Sequence, residues 1–165
     1  MQFSVITELA YPAPIVWKTV TSQDFIQQAN EYSGVTATVI SEEQGTGKRT
    51  VVSKVDYIKP LPKPAAQALG KSHLSYTMEQ VFHEERMKVD WTIQLPELGR
   101  KFSATGSLHI LDKNPSPLSH RIDSGNIQVK IPFFGSKIER EIIKTLEASY
   151  NKVGQFTKEY LQKQS

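Results

Sequence analysis

A few polar side chains interrupt runs that otherwise alternate between apolar and polar residues, and these are the first candidates for chemistry. Gln80 stands in the series Leu74, Tyr76, Met78, Gln80, Phe82. Arg121 and Asp123 open a segment whose second half carries Ile127, Val129 and Ile131. A charge turned into an apolar interior must be paired. Asp123, two residues from Arg121, would share its face on a strand. Three uses are open to such a pair. It can stand at the end of a sheet and meet solvent. It can anchor the polar headgroup of a ligand. Arg121 can supply acid and base, with Asp123 or a tyrosine, to a cyclase- or hydrolase-like reaction. A bulge at Gly125 would change which side chains face inward and bring Asn126 into the same space.

Other signals for chemistry are weak. Of the four histidines, His73, His83 and His109 fall at outward positions of alternating segments, and none of the four lies four residues from another on a helix. There is no H-E-x-x-H pattern, so no metal ligand and no cofactor are expected. "GTGKRT" lacks the spacing of a phosphate loop and joins two strands, which reads as a hairpin turn. No G-x-S-x-G elbow and no cysteine nucleophile is present, and no catalytic residue is assigned.

The 165 residues suit one domain over 1–165, long enough to bury a core. Without cysteine there are no disulfides, and a reducing, cytoplasmic setting is expected. The start, "MQFSVITELA", is not patterned as a signal peptide, and no apolar run approaches the ~20 residues that span a bilayer. A net charge of +3 with scattered Lys and Arg shows no nucleic-acid footprint.

The elements that would position these residues follow from periodicity. Phe3, Val5, Thr7, Leu9 and Tyr11 alternate as a strand. Pro14 suits the first turn of a short helix through "IVWKTV". Thr21 and Asp24 have capping-box spacing for a second helix over about Ser22 to Tyr32. Six β segments follow from Gly34. A proline-rich loop at residues 60–64, with one helical turn at Ala65 to Leu69, separates the second of the six from the third. The four long segments are Ser72 to His83, Arg86 to Leu95, Lys101 to Leu111 and His120 to Ile131. The tail is helical from Ser136 to Gln164, with Ser136 and Glu139 as a capping box. Its apolar stripe runs through Ile138, Ile142, Leu146, Tyr150, Val153, Phe156 and Tyr160.

Short turns make the strands an antiparallel meander, and an apolar sheet face must be covered. The one long amphipathic helix covers it best if the sheet curves around it. The fold class is therefore α+β: a curved seven-stranded antiparallel sheet wrapped around a long C-terminal helix, with two short helices between strands 1 and 2. The space inside must be filled by side chains or by a ligand. Tyr57, Tyr76, Met78, Phe82, Met87, Trp91 and Phe102 would line it from the sheet, together with Gln80, Arg121 and Asn126. Ile142, Leu146 and Tyr150 would line it from the helix. In "IPFFGSKIER", Pro132 ends the ladder and Gly135 turns the chain. One of Phe133 and Phe134 is expected to pack under the helix's first turn while the other rims the cavity mouth, opposite the prolines of residues 60–64. Two rings without a basic cluster would not anchor the protein to a membrane.

Three stretches carry a resemblance: "AYPAPIVWKTVTSQDF", the "GTG" hairpin and "RIDSGNIQVKIPFFGSKIER". With the order β-α-α-β6-α, the chain resembles the helix-grip fold of the birch-pollen-allergen and START-like (SRPBCC) superfamily. Its final strand and connector are similar to those of a bacterial subfamily known only as a domain of unknown function. The resemblance implies a hydrophobic small-molecule partner, a lipid, quinone or polyketide. It also allows a co-chaperone-like module with a protein partner and a filled cavity, or a cyclase-like enzyme. No nucleic-acid partner and no stable membrane insertion are expected.

Overall fold

The computed structural model describes all of residues 1–165. Strand β1 (Gln2–Leu9) leads into helices α1 (Ala13–Val20) and α2 (Gln23–Ser33). Strands β2 (Val35–Gly45) and β3 (Lys48–Pro60), the short helix α3 (Lys63–Leu69), and strands β4 (His73–His83), β5 (Lys88–Gln94), β6 (Phe102–Asp112) and β7 (Ser119–Val129) follow. Helix α4 (Gly135–Gln164) closes the chain. The seven strands form one antiparallel sheet in the order β1-β7-β6-β5-β4-β3-β2, so the meander runs from β2 to β7 and β1 completes it beside β7. This is the helix-grip architecture expected above.

Local chemistry explains most boundaries. In β1 the odd residues are buried and the even ones exposed, the signature of a strand with one face on a core. Ser22, not Thr21, caps α2: its hydroxyl accepts from the Phe25 N–H at 3.3 Å, while the Thr21 hydroxyl donates back to the Trp17 carbonyl. The start of α1 has no side-chain cap of its own, but the Asp112 carboxylate, at the end of β6, accepts from the Ala13 N–H at 2.8 Å. The loop after β3 holds a seven-residue helix rather than a single turn.

Two expectations fail for a physical reason. The β6–β7 register runs without a break through Gly125, which faces Gly106 across the ladder. There is no bulge, so Asn126 keeps outward parity and accepts from the terminal ammonium on the outer face. The paired glycines exist because Trp91 lies over them; a β-carbon at Gly125 would come within 2.9 Å of its ring and 2.8 Å of Phe3. The capping box of α4 is also absent. The helix begins at Gly135 with Phe134 at the cap position, which leaves Ser136 inside the first turn. Glu139 instead turns toward the sheet and accepts from the Val129 N–H at 2.8 Å.

The interior divides in two. At one end Leu9, Val16, Trp17, Phe25, Val89, Ile110 and Leu161 pack α1, α2 and the end of α4 onto the sheet. At the other, Phe3, Trp91, Ile93, Ala104, Ile127, Val129 and Ile143 pack under the start of α4. This second end, where α4 begins and the β3–β4, β5–β6 and β7–α4 connectors meet, is called the mouth below.

Candidate ligand-binding cavity

Helix α4 lies against β1 and β7 and, toward its end, against α2 and α1. The residues that seal it there are Ile143, Gly154, Thr157 and Leu161, all buried. The expected apolar stripe is displaced from this seam. At about 100° per residue, Ile138, Ile142, Leu146 and Val153 project to one side of it and are only half-buried. Ile138, Ile142 and Leu146 pack there against the same core as Tyr76, Met78 and Phe102 of the sheet. At the seam Gly154 lets the helix approach β1 so closely that an added β-carbon would strike the Thr7 hydroxyl. Gly154 and Thr157 escaped the sequence reading because neither marks an apolar face.

A polar layer crosses the interior between the two cores. Arg121 and Asp123 are buried (5% and 1% exposed) in the body of β7 and form a bidentate pair, Nε to Oδ2 at 2.8 Å and Nη2 to Oδ1 at 3.2 Å. Nη1 donates to the Thr157 hydroxyl at 3.4 Å. The sheet-end, solvent-facing reading of this pair is thereby corrected. All three guanidinium nitrogens are engaged, so the pair is satisfied within the protein.

Beside this layer, toward the mouth, the structure gathers the expected lining residues. Tyr57, Tyr76, Met78, Gln80 and Phe102 lie on the inner face of the sheet, with Ile142, Leu146 and Tyr150 opposite on α4; all are half-buried. The Tyr57 and Tyr76 rings lie 6.1 Å apart. Burial pushes all three tyrosine hydroxyls above their ordinary pKa, Tyr76 strongly, with the neighbouring Tyr57 and Tyr150 hydroxyls adding to its shift. For Tyr150 the nearby Asp123 carboxylate raises it further. Each of the three is enclosed by protein on most sides yet keeps part of its surface accessible. Phe82, Met87 and Trp91 are not part of this set. Phe82 is buried in the far core beneath Arg49. Met87 lies in the β4–β5 turn at φ 48°, packed on the same core. Trp91 is buried under Phe3, in the stack Trp91–Phe3–Tyr150 with centroids 6.3 and 5.8 Å apart.

Two open clefts lie at the mouth. One, of about 510 Å³, follows the end of the β5–β6 hairpin from Thr92 to Ala104. The other, of about 400 Å³, follows Val129 to Ser136. None of the three tyrosines lines either cleft. Phe133, at φ 66°, is fully exposed and Phe134 is 61% exposed, so neither ring packs under α4. His83 faces outward as expected and meets Asp90 at 3.0 Å, and His120 meets Glu8 at 3.6 Å.

The curved sheet and the helix it grips define the helix-grip class of fold. The same fold occurs in TTHA0849 from Thermus thermophilus (12% identity, TM-score 0.69, covering 100% of this chain and 99% of that one). It also occurs in a START superfamily protein from Mycobacterium smegmatis (14%, 0.61, 97% and 98%). A third is a point mutant of norcoclaurine synthase from Thalictrum flavum, bound to a transition-state analogue (15%, 0.68, 100% and 96%). Within the class, residues 4–161 match the family described as a protein of unknown function, DUF2505, and the chain belongs to that family. No curated protein matches it. No helix is long and apolar enough to cross a membrane.

Proposed function

We propose that the protein binds and carries a hydrophobic small molecule, of lipid, quinone or polyketide-like character, between the sheet and α4, acting in the cytoplasm as one domain. The observation that carries this reading is the set of half-buried side chains facing one another across the grip, Tyr57, Tyr76 and Met78 on the sheet and Ile142, Leu146 and Tyr150 on the helix, with the three tyrosine hydroxyls desolvated. Apolar lining with a few convergent polar groups is how small-molecule sites are built, and methionine adapts to irregular guests. The tyrosine hydroxyls stay protonated at neutral pH and suit hydrogen-bond donation to a guest better than proton abstraction. That weighs against the enzymatic reading.

Native mass spectrometry of the purified protein tests the proposal. The expected spectrum shows an adduct above the 18.6 kDa chain that is lost on denaturation. A bare chain, together with no thermal shift from a panel of apolar molecules, would overturn it in favour of an interaction module.

A further inference from the structure

We propose that the mouth of the grip docks on an anionic lipid bilayer, with Phe133 and Phe134 entering the interface and the surrounding basic side chains meeting the headgroups. The chain presents two adjacent aromatic rings to solvent at one tip, Phe133 from a backbone conformation that favours glycine. A residue with a β-carbon is disfavoured there, and the ring makes no packing contact that would offset it.

The rings do not stand alone, although in sequence they are not beside a basic run. The Lys130 N–H donates to the Lys101 carbonyl at 2.7 Å, which sets Arg100 and Lys101 beside the Phe-bearing connector. The three mouth connectors carry Lys63, Lys71, Arg100, Lys101 and Lys130 against one acid, Glu97, and Lys137 follows in the first turn of α4. Glu97 is held by Lys71 at 2.5 Å. Glu139 is turned to the Val129 N–H and the terminal ammonium. Glu97 and Glu139 are therefore occupied, and Arg100, Lys101, Lys130 and Lys137 remain exposed.

Two rings are too small a patch for a stable protein interface, which needs roughly 800 Å² from each partner. A bilayer needs no shape match. An apolar tip combined with a basic surround is the two-signal arrangement that gives reversible surface binding, and the basic contribution acts on anionic lipids within a Debye length. Docking stands independently of the cavity proposal; only a direct passage of guest between bilayer and grip rests on it.

The test is co-sedimentation of the full chain with vesicles of phosphatidylcholine, alone or containing phosphatidylserine. Wild type is expected to partition about tenfold better onto the anionic vesicles and to be released by salt. Phe133→Ser/Phe134→Ser and Lys130→Glu/Lys137→Glu should each lower that partition about tenfold. Both should keep the wild-type Tm, because the altered side chains are exposed. Wild type that stays in the supernatant, or variants that sediment as wild type does, would overturn the proposal. So would a dimer in solution that Phe133→Ser dissolves, since a second copy would then be the occupant. Retention of the native-mass adduct in variants that no longer dock separates this result from any failure of the cavity reading.

Discussion

The buried pair of Arg121 and Asp123 shows what single residues do here. Each charge is compensated by the other and by Thr157, so removing one partner strands its mate in the interior. Arg121→Met should cost about 3–5 kcal/mol, whereas Arg121→Met/Asp123→Leu should recover most of it, because a well-packed apolar pair often equals a buried ion pair. Urea unfolding checks this. Retained guest binding in the double variant would exclude the headgroup-anchor role that the sequence left open. Tyr150 adds a pH dependence whose sign is fixed. Its folded pKa lies above the unfolded value near 10. Below pH ~10 both states hold the proton and nothing changes; above it the unfolded state releases the proton first, so stability falls as pH rises. Relative to Tyr150→Phe, wild type should lose about 1.4 kcal/mol per pH unit above ~10 in alkaline unfolding series. Parallel curves would place the hydroxyl in solvent.

Among the elements, α4 is the most instructive. Its existence and length were legible from the apolar recurrence between Ile138 and Tyr160, because a helix of this length must lie across a sheet. Which side of it would seal was not legible. The seam uses Gly154 and Thr157, chosen for smallness and for a hydroxyl that meets Arg121, and neither property appears in a pattern of apolar residues. The start of α4 misled for a related reason. Ser136 and Glu139 have capping-box spacing, but Glu139 is drawn to the Val129 N–H, a partner outside the helix. Asn126 was misplaced because Gly125 reads as a bulge, while the need it meets is room for Trp91 and Phe3. The seam itself is testable. Gly154→Ala gains about 1 kcal/mol of helix propensity, but the new methyl meets the Thr7 hydroxyl, with the Thr7 methyl at 3.2 Å behind it. Rotation about χ1 only exchanges one for the other, so a net loss of about 1–3 kcal/mol is expected from overpacking. Thr7→Ala in the same chain should restore it. A simple gain in Tm for Gly154→Ala would mean that helix and strand stand further apart.

For the whole molecule, the two cores divide the labour. The far core binds α1, α2 and the end of α4 to the sheet with fully buried side chains such as Val16, Ile110 and Leu161. The mouth core is closed by half-buried residues and by connectors tied through single contacts, Lys71 to Glu97 and Lys130 to Lys101. The element order made this asymmetry partly legible, since the proline-rich connector and the Phe-bearing one both fall at the end where α4 begins. The exposure of both Phe133 and Phe134 was not, because a ring in a connector reads equally well as core or rim. Regions with few buried contacts open at low free energy, so amide hydrogen exchange should be fast in the β3–β4 and β5–β6 connectors and in the first turns of α4, and slow in β7 and the end of α4. A guest held in the grip at about 100 times its Kd stabilises the native state by about 2.7 kcal/mol. Its protection should fall on the mouth half alone, at Tyr76, Met78, Ile142 and Leu146. Protection spread evenly over both halves would instead mean that the guest sits outside the grip or only shifts global unfolding. Protection confined to residues 130–137 would assign it to the cleft beside Phe133.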